Sequence, residues 1–127
     1  MRNKALHVKI ALCPSFHEIE QILDSTLSQD IDDIVAIYKT LVSNGLSSQH
    51  YSEVGGFKGT HSHQKSNDMI AYIGHSEQGQ KSVIGVGGVF SAMDTRQKLA
   101  AGVLLVQLST GLIYQGLAVA GRTMRAL

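Results

Sequence analysis

Gly85, Gly87 and Gly88 fall in the stretch KSVIGVGGVFSAMD, Lys81 to Asp94, where β-branched residues run into a glycine cluster and then into a helix start. A turn at such a junction lets backbone amides approach an anion with no side chain in the way, and the following helix N-terminus favours negative charge. A phosphate suits that chemistry. Neither common nucleotide motif is complete, because Phe90 stands where a dinucleotide fingerprint needs glycine and no Gly-Lys-Ser/Thr opens the helix. A plain tight turn is the competing reading. A second candidate follows at Ser109-Thr110-Gly111, whose hydroxyls and amides could face the same anion if the strands before the two segments are neighbours.

The remaining reactive residue types carry less. His61 and His63 are one residue apart, with His50 and His75 nearby, and in a strand the first two rings would share a face. No carboxylate or cysteine joins them at a recognisable ligand interval, so they read as part of a polar loop and no metal ligand is assigned. The single cysteine, Cys13, has no assignable histidine partner and reads as a buried or incidental thiol. Ser15 and Ser91 stand where helix caps are expected.

The elements that must position these groups follow from periodicity. Leu6 to Leu12 reads as a strand, and Phe16, Ile19, Ile22, Leu23 and Leu27 mark a helix after Pro14 and Ser15. Asp32 to Tyr38 repeats the strand signal, and Ser43 to Lys65 reads as a long loop. Asn67 to Gly74 is a short helix candidate, Val83 to Val86 a buried strand, and Ala92 to Ala101 a helix stopping at Gly102. Val103 to Leu108 is a fourth apolar strand, and a short helix closes the chain between Ala118 and Ala126. Four near-continuous apolar strands alternating with helices predict an α/β fold with a parallel sheet. Phosphate-suited loops after the last two strands are what a (β/α)8 barrel offers, together with a short extra helix. The pattern therefore points to the closing part of such a barrel, with residues 1–127 as a single partial domain.

Composition narrows the class further. The 127 residues, 43% of them hydrophobic, allow one core. Eleven basic against ten acidic residues leave no field to recruit nucleic acid or an anionic membrane. One cysteine excludes an intramolecular disulfide, no secretory leader pattern is seen, and Val103 to Tyr114 is interrupted by polar residues, so no membrane segment is expected and the cytoplasm is the expected compartment.

Read backward from the glycine turn, the chain resembles the C-terminal half of the quinone-linked dihydroorotate dehydrogenases, FMN enzymes of pyrimidine synthesis. VKIA (Val8 to Ala11) resembles the family's strand bearing a flavin-contacting lysine, GGFKG (Gly55 to Gly59) its GGLSG loop, and IGVGGV (Ile84 to Val89) its phosphate turn. AAGVLLVQLSTGLIYQG (Ala100 to Gly116) resembles the segment AGASLVQxY(S/T)GxxxxG, in the same order and spacing. The resemblance implies FMN as cofactor, with Lys9 near the pyrimidine edge of the isoalloxazine, and Gly59, Gly87, Gly88, Ser109 and Thr110 around the flavin and its phosphate. A lysine at the end of an apolar barrel strand can stabilise the negative charge that develops on the flavin as it accepts hydride. An edge charge that discourages aggregation is the alternative for Lys9.

The departures are spread through the site. Ile37-Tyr38-Lys39-Thr40 replaces the polar TNTT that touches flavin and orotate, Phe57 and Lys58 replace leucine and serine in the loop, and Leu12, Ser109 and Leu117 replace a proline, a tyrosine and a proline. The family's serine base and its membrane-associating N-terminal region match nothing in these residues, and such barrels need ~250 residues. Without a general base no coupled proton and hydride removal is expected, so the chain alone is expected to be inactive. Two alternatives stay open: activity on complementation by an N-terminal half-barrel, or a homodimer that holds FMN or another phosphorylated ligand without turnover. The small-molecule partners implied are the flavin and dihydroorotate or orotate.

Overall fold

The computed structural model describes residues 4–12, 15–38, 63–76 and 81–127. Its strands are β1 (His7–Leu12), β2 (Asp33–Tyr38), β3 (Ser82–Val86) and β4 (Leu105–Gln107). The helices are α1 (Phe16–Leu27), α2 (His63–Ser76), α3 (Ala92–Ala100), α4 (Thr110–Gln115) and α5 (Ala118–Ala126). All strand pairings are parallel and the order is β1-β2-β3-β4. Strand order that never reverses, with right-handed crossovers, keeps the connecting helices on one face. A doubly wound sheet would reverse its order and cover both faces. The winding here is that of a (β/α)8 barrel, with four strands among the described residues.

The core lies between the sheet and its helices. Ile10, Ile34, Ala36 and Val83 from the strands meet Ile19 and Leu23 of α1 and Met69, Ile70 and Ile73 of α2. Ile34, Ile70 and Ile73 are fully buried, and each such side chain contributes roughly 1.5–3 kcal/mol of transfer free energy. Because strand side chains alternate, the residues between the core positions project to the other face. Lys9, Val35, Ile84 and Leu105 stand there in one register row. In a closed barrel that face is the interior.

Helix ends follow local chemistry. The Ser15 side chain accepts from the Glu18 amide at the start of α1. Ser91 and Asp94 form a reciprocal capping box on α3, and Gly102, at φ +106, ends it.

Three boundaries differ from expectation. Helix α2 begins at His63 and ends at Ser76, so His63 to Lys65 belong to a helix and not to the end of a loop. Ser66 and Asn67 hid the helical period, since both are polar and both face inward. Strand β4 is three residues long; before it, the Leu104 amide already bonds Val83 O at 2.8 Å, while the Val103 amide still lies 3.5 Å from Lys98 O of α3. Helix α4 was not expected, and it supplies a short extra helix immediately after β4.

Candidate functional site

The turn after β3 is built from two left-handed glycines, Gly87 at φ +106 and Gly88 at φ +68. Only glycine takes those angles without strain. A Cβ on Gly88 would also lie 2.8 Å from the Cα of His63, so the start of α2 rests directly against the turn. Just beyond, the Asp94 carboxylate accepts from the amides of Phe90 and Ser91, both at 2.9 Å, and from the Ser91 hydroxyl at 2.9 Å. Gln115 of α4 donates to Phe90 O at 2.8 Å, and His63 Nδ1 lies 2.9 Å from Gly88 O. These bracing bonds engage the carbonyls of Gly88 and Phe90 and the amides of Phe90 and Ser91. None of them uses the amide of Gly87 or Gly88.

The segment after β4 lies alongside. Val86 is in register with Gln107, so Gly88 and Ser109 each follow the paired residues by two positions. Contact is closest at Gly111, where an added Cβ would fall 2.2 Å from Val89 O. Ser109 is the residue before α4, is exposed, and makes no side-chain cap bond. Gly87, Gly88, Ser109 and Thr110 are therefore brought together at the carboxyl ends of adjacent strands. Gly59 lies outside the described residues, as do Cys13, His50 and His61.

Lys9 stands apart from this pair of loops. It is an exposed residue in the middle of β1, three positions before the strand's end, so the expectation of a strand-end lysine needs correcting. With Val8 and Ile10 packed toward the helices, its side chain projects to the barrel-interior face. Across that face Ile84 is two strands away, about 10 Å at the usual strand spacing.

Two groups beneath the turn were missed by sequence reasoning. Lys98 on α3 is completely buried, and its Nζ donates to Ser66 Oγ at 2.9 Å and to Asn67 Oδ1 at 3.1 Å. Burial pushes its ammonium down to about 8, opposed by the nearby Asp94 carboxylate. Ser66 in turn reaches Val86 O at 3.4 Å, and Asn67 Nδ2 lies 3.1 Å from His63 Nε2. The same His63 nitrogen is 2.6 Å from the Gln97 carboxamide. A signal for His63 existed in its three-residue spacing from Ser66 on what proves to be a helix. Nothing in the sequence marked Lys98 as buried. Among the described residues no three potential metal ligands cluster, and no helix is long and apolar enough to cross a membrane.

A singly wound parallel sheet of four strands alternating with helices defines the class, a partial (β/α)8 barrel. The family model described as dihydroorotate dehydrogenase matches residues 1–127. A dihydroorotate dehydrogenase (quinone) of Thermosynechococcus vestitus is 40% identical over 122 residues, covering 90% of this chain and 34% of that protein. One from Cereibacter sphaeroides is 38% identical over 126 residues, covering 99% and 36%. The ligand-free dihydroorotate dehydrogenase of Eimeria tenella superposes with a TM-score of 0.84 at 28% identity, over 94% of this chain and 34% of that one. The chain belongs to the dihydroorotate dehydrogenase family. It spans about a third of the length of the curated relatives it matches.

Proposed function

We propose that these residues are the FMN-phosphate-binding part of a dihydroorotate dehydrogenase barrel. The observation that carries the reading is the turn itself: among the described residues its side-chain braces run to the Val86, Gly88 and Phe90 carbonyls and to the Phe90 and Ser91 amides, and none runs to the Gly87 or Gly88 amides, which stand beside the segment of Ser109 and Thr110. The residues fit the group, since Gly87 and Gly88 admit a phosphate at backbone distance where a side chain would intrude. Bound FMN would supply the hydride acceptor for oxidation of dihydroorotate to orotate. The turn would hold its phosphate, and Lys9 on the interior face would place a positive charge near the flavin ring. No residue described here fills the role of general base, so turnover requires the remaining barrel strands from elsewhere. The absorption spectrum of purified protein tests the binding step. Wild type is expected to bind FMN more tightly than riboflavin, which lacks the phosphate, and Gly88→Asp to abolish that preference. Oxidation of dihydroorotate by these residues alone with added quinone would refute the division of labour.

A second reading rests on the sheet edges. Among the described residues strands β1 and β4 each have one neighbour, and four strands are half of eight, so two copies could close one barrel edge to edge. Light scattering that finds only monomer at high concentration removes it.

A further inference from the structure

We propose that His63 is a positioning residue that aims the glycine turn at its anion, acting through a hydrogen bond from its Nδ1–H to Gly88 O. This rests on the phosphate reading above.

The proton's location follows from the partners. A carbonyl oxygen only accepts, so His63 Nδ1, 2.9 Å from Gly88 O, carries the hydrogen. Lys98 only donates, which turns Asn67 Oδ1 toward it and sends Asn67 Nδ2 toward His63 Nε2, 3.1 Å away. Nε2 then accepts from Asn67, and the hydrogen toward Gly88 O sits on Nδ1. Gln97 Oε1 lies 2.6 Å from the same nitrogen, so acceptance by Nε2 requires the Gln97 carboxamide turned to present its NH2, an orientation that heavy-atom positions leave open.

The consequence lies in peptide geometry. A trans peptide points its C=O and N–H in opposite directions. His63 holds Gly88 O, and Ser66, one helical turn later, holds Val86 O at 3.4 Å. With both carbonyls drawn toward α2, the amides of the same two peptide units, those of Gly87 and Val89, point away from α2, and the Gly88 amide is held between these two fixed peptides. Strand β4, whose following segment carries Ser109 and Thr110, is the neighbour of β3 on the side opposite β2. The His63 backbone, 2.8 Å from where a Cβ on Gly88 would stand, fixes the spacing as well as the angle.

The test compares FMN with riboflavin by fluorescence quenching in the full chain, for wild type, His63→Ala and His63→Gln. The glutamine amide can still donate to Gly88 O. Alanine is expected to weaken FMN by about tenfold and leave riboflavin unchanged, with glutamine recovering most of the loss. FMN affinity unchanged in His63→Ala, or an equal loss for both flavins, would overturn the role. Equal affinity of wild type for FMN and riboflavin would instead sink the phosphate reading, a distinguishable failure. One readout needs no ligand: long-range 15N–1H correlation is expected to show the Nδ1–H ring, and a neutral Nε2–H ring overturns the proposal outright.

Discussion

The Cβ position of Gly111 lies 2.2 Å from the carbonyl oxygen of Val89, so the segment after β4 meets the segment after β3 backbone to backbone. Any side chain there must push the two apart. Gly111→Ala is expected to destabilise the fold by about 1–3 kcal/mol, the usual cost of overpacking, and to weaken FMN because the turn moves from Ser109 and Thr110. Urea unfolding and flavin titration check the two effects separately. A stable variant with unchanged FMN affinity would mean that the contact does not set the loop spacing.

Lys98 gives stability a pH dependence of definite sign. Its ammonium titrates at about 8 in the folded chain and at 10.5 when exposed. Between these values the unfolded state binds more protons, so stability rises with pH through that window; below about 8 both states are charged and the burial penalty is constant. Raising the pH from 7.5 to 9.5 is expected to add on the order of 2 kcal/mol to the unfolding free energy. Lys98→Met removes the titrating group, and its urea midpoint should lose this rise. An equal rise in the variant would assign the effect to other groups.

The β4 side of the molecule is apolar and open. Leu99, Leu104, Leu105, Met124 and Leu127 line a groove of about 350 Å³ between α3, β4 and α5. Leu104 is 63% exposed and Met124 70%, beside the edge of β4 that has no partner among the described residues. Such a patch marks an association surface or an aggregation liability. The isolated chain is expected to self-associate with concentration, and the pair Leu104→Lys with Met124→Lys to shift it toward monomer in sedimentation velocity. Monomer at all concentrations in wild type would count against association through this face.

The α/β class, the four strands, the caps at Ser15 and Ser91 and the stop at Gly102 were legible because each has a local cause. Alternation and β-branching mark strands, and cap chemistry acts within four residues. The glycine turn was legible too, since Gly87 and Gly88 have a conformational reason to be glycine. What stayed hidden was non-local. Ser66, Asn67 and Lys98 look like surface residues in sequence, and become a buried polar cluster only once α3 packs on α2. His63 was read as loop for the same reason, because its partners are 25 and 34 residues away. The extra helix α4 is too short for a periodic signal.

Lys9 separates a functional charge from a structural one. It is exposed and lies between Val8 and Ile10, whose side chains belong to the opposite, core face. Removing it therefore costs the fold little, and Lys9→Ala is expected to change the unfolding free energy by less than about 0.5 kcal/mol. If its ammonium stands near the flavin ring, it stabilises the reduced anion more than the oxidised ring, because only the former is charged. A charge-assisted contact of about 1–3 kcal/mol corresponds to a drop on the order of 20–60 mV in the two-electron potential when it is lost. Spectroelectrochemical titration of the FMN-loaded protein measures that drop. Lys9→Ala with an unchanged potential would return the residue to the role of an edge charge, and Lys9→Arg, which keeps the charge, is expected to recover most of the difference.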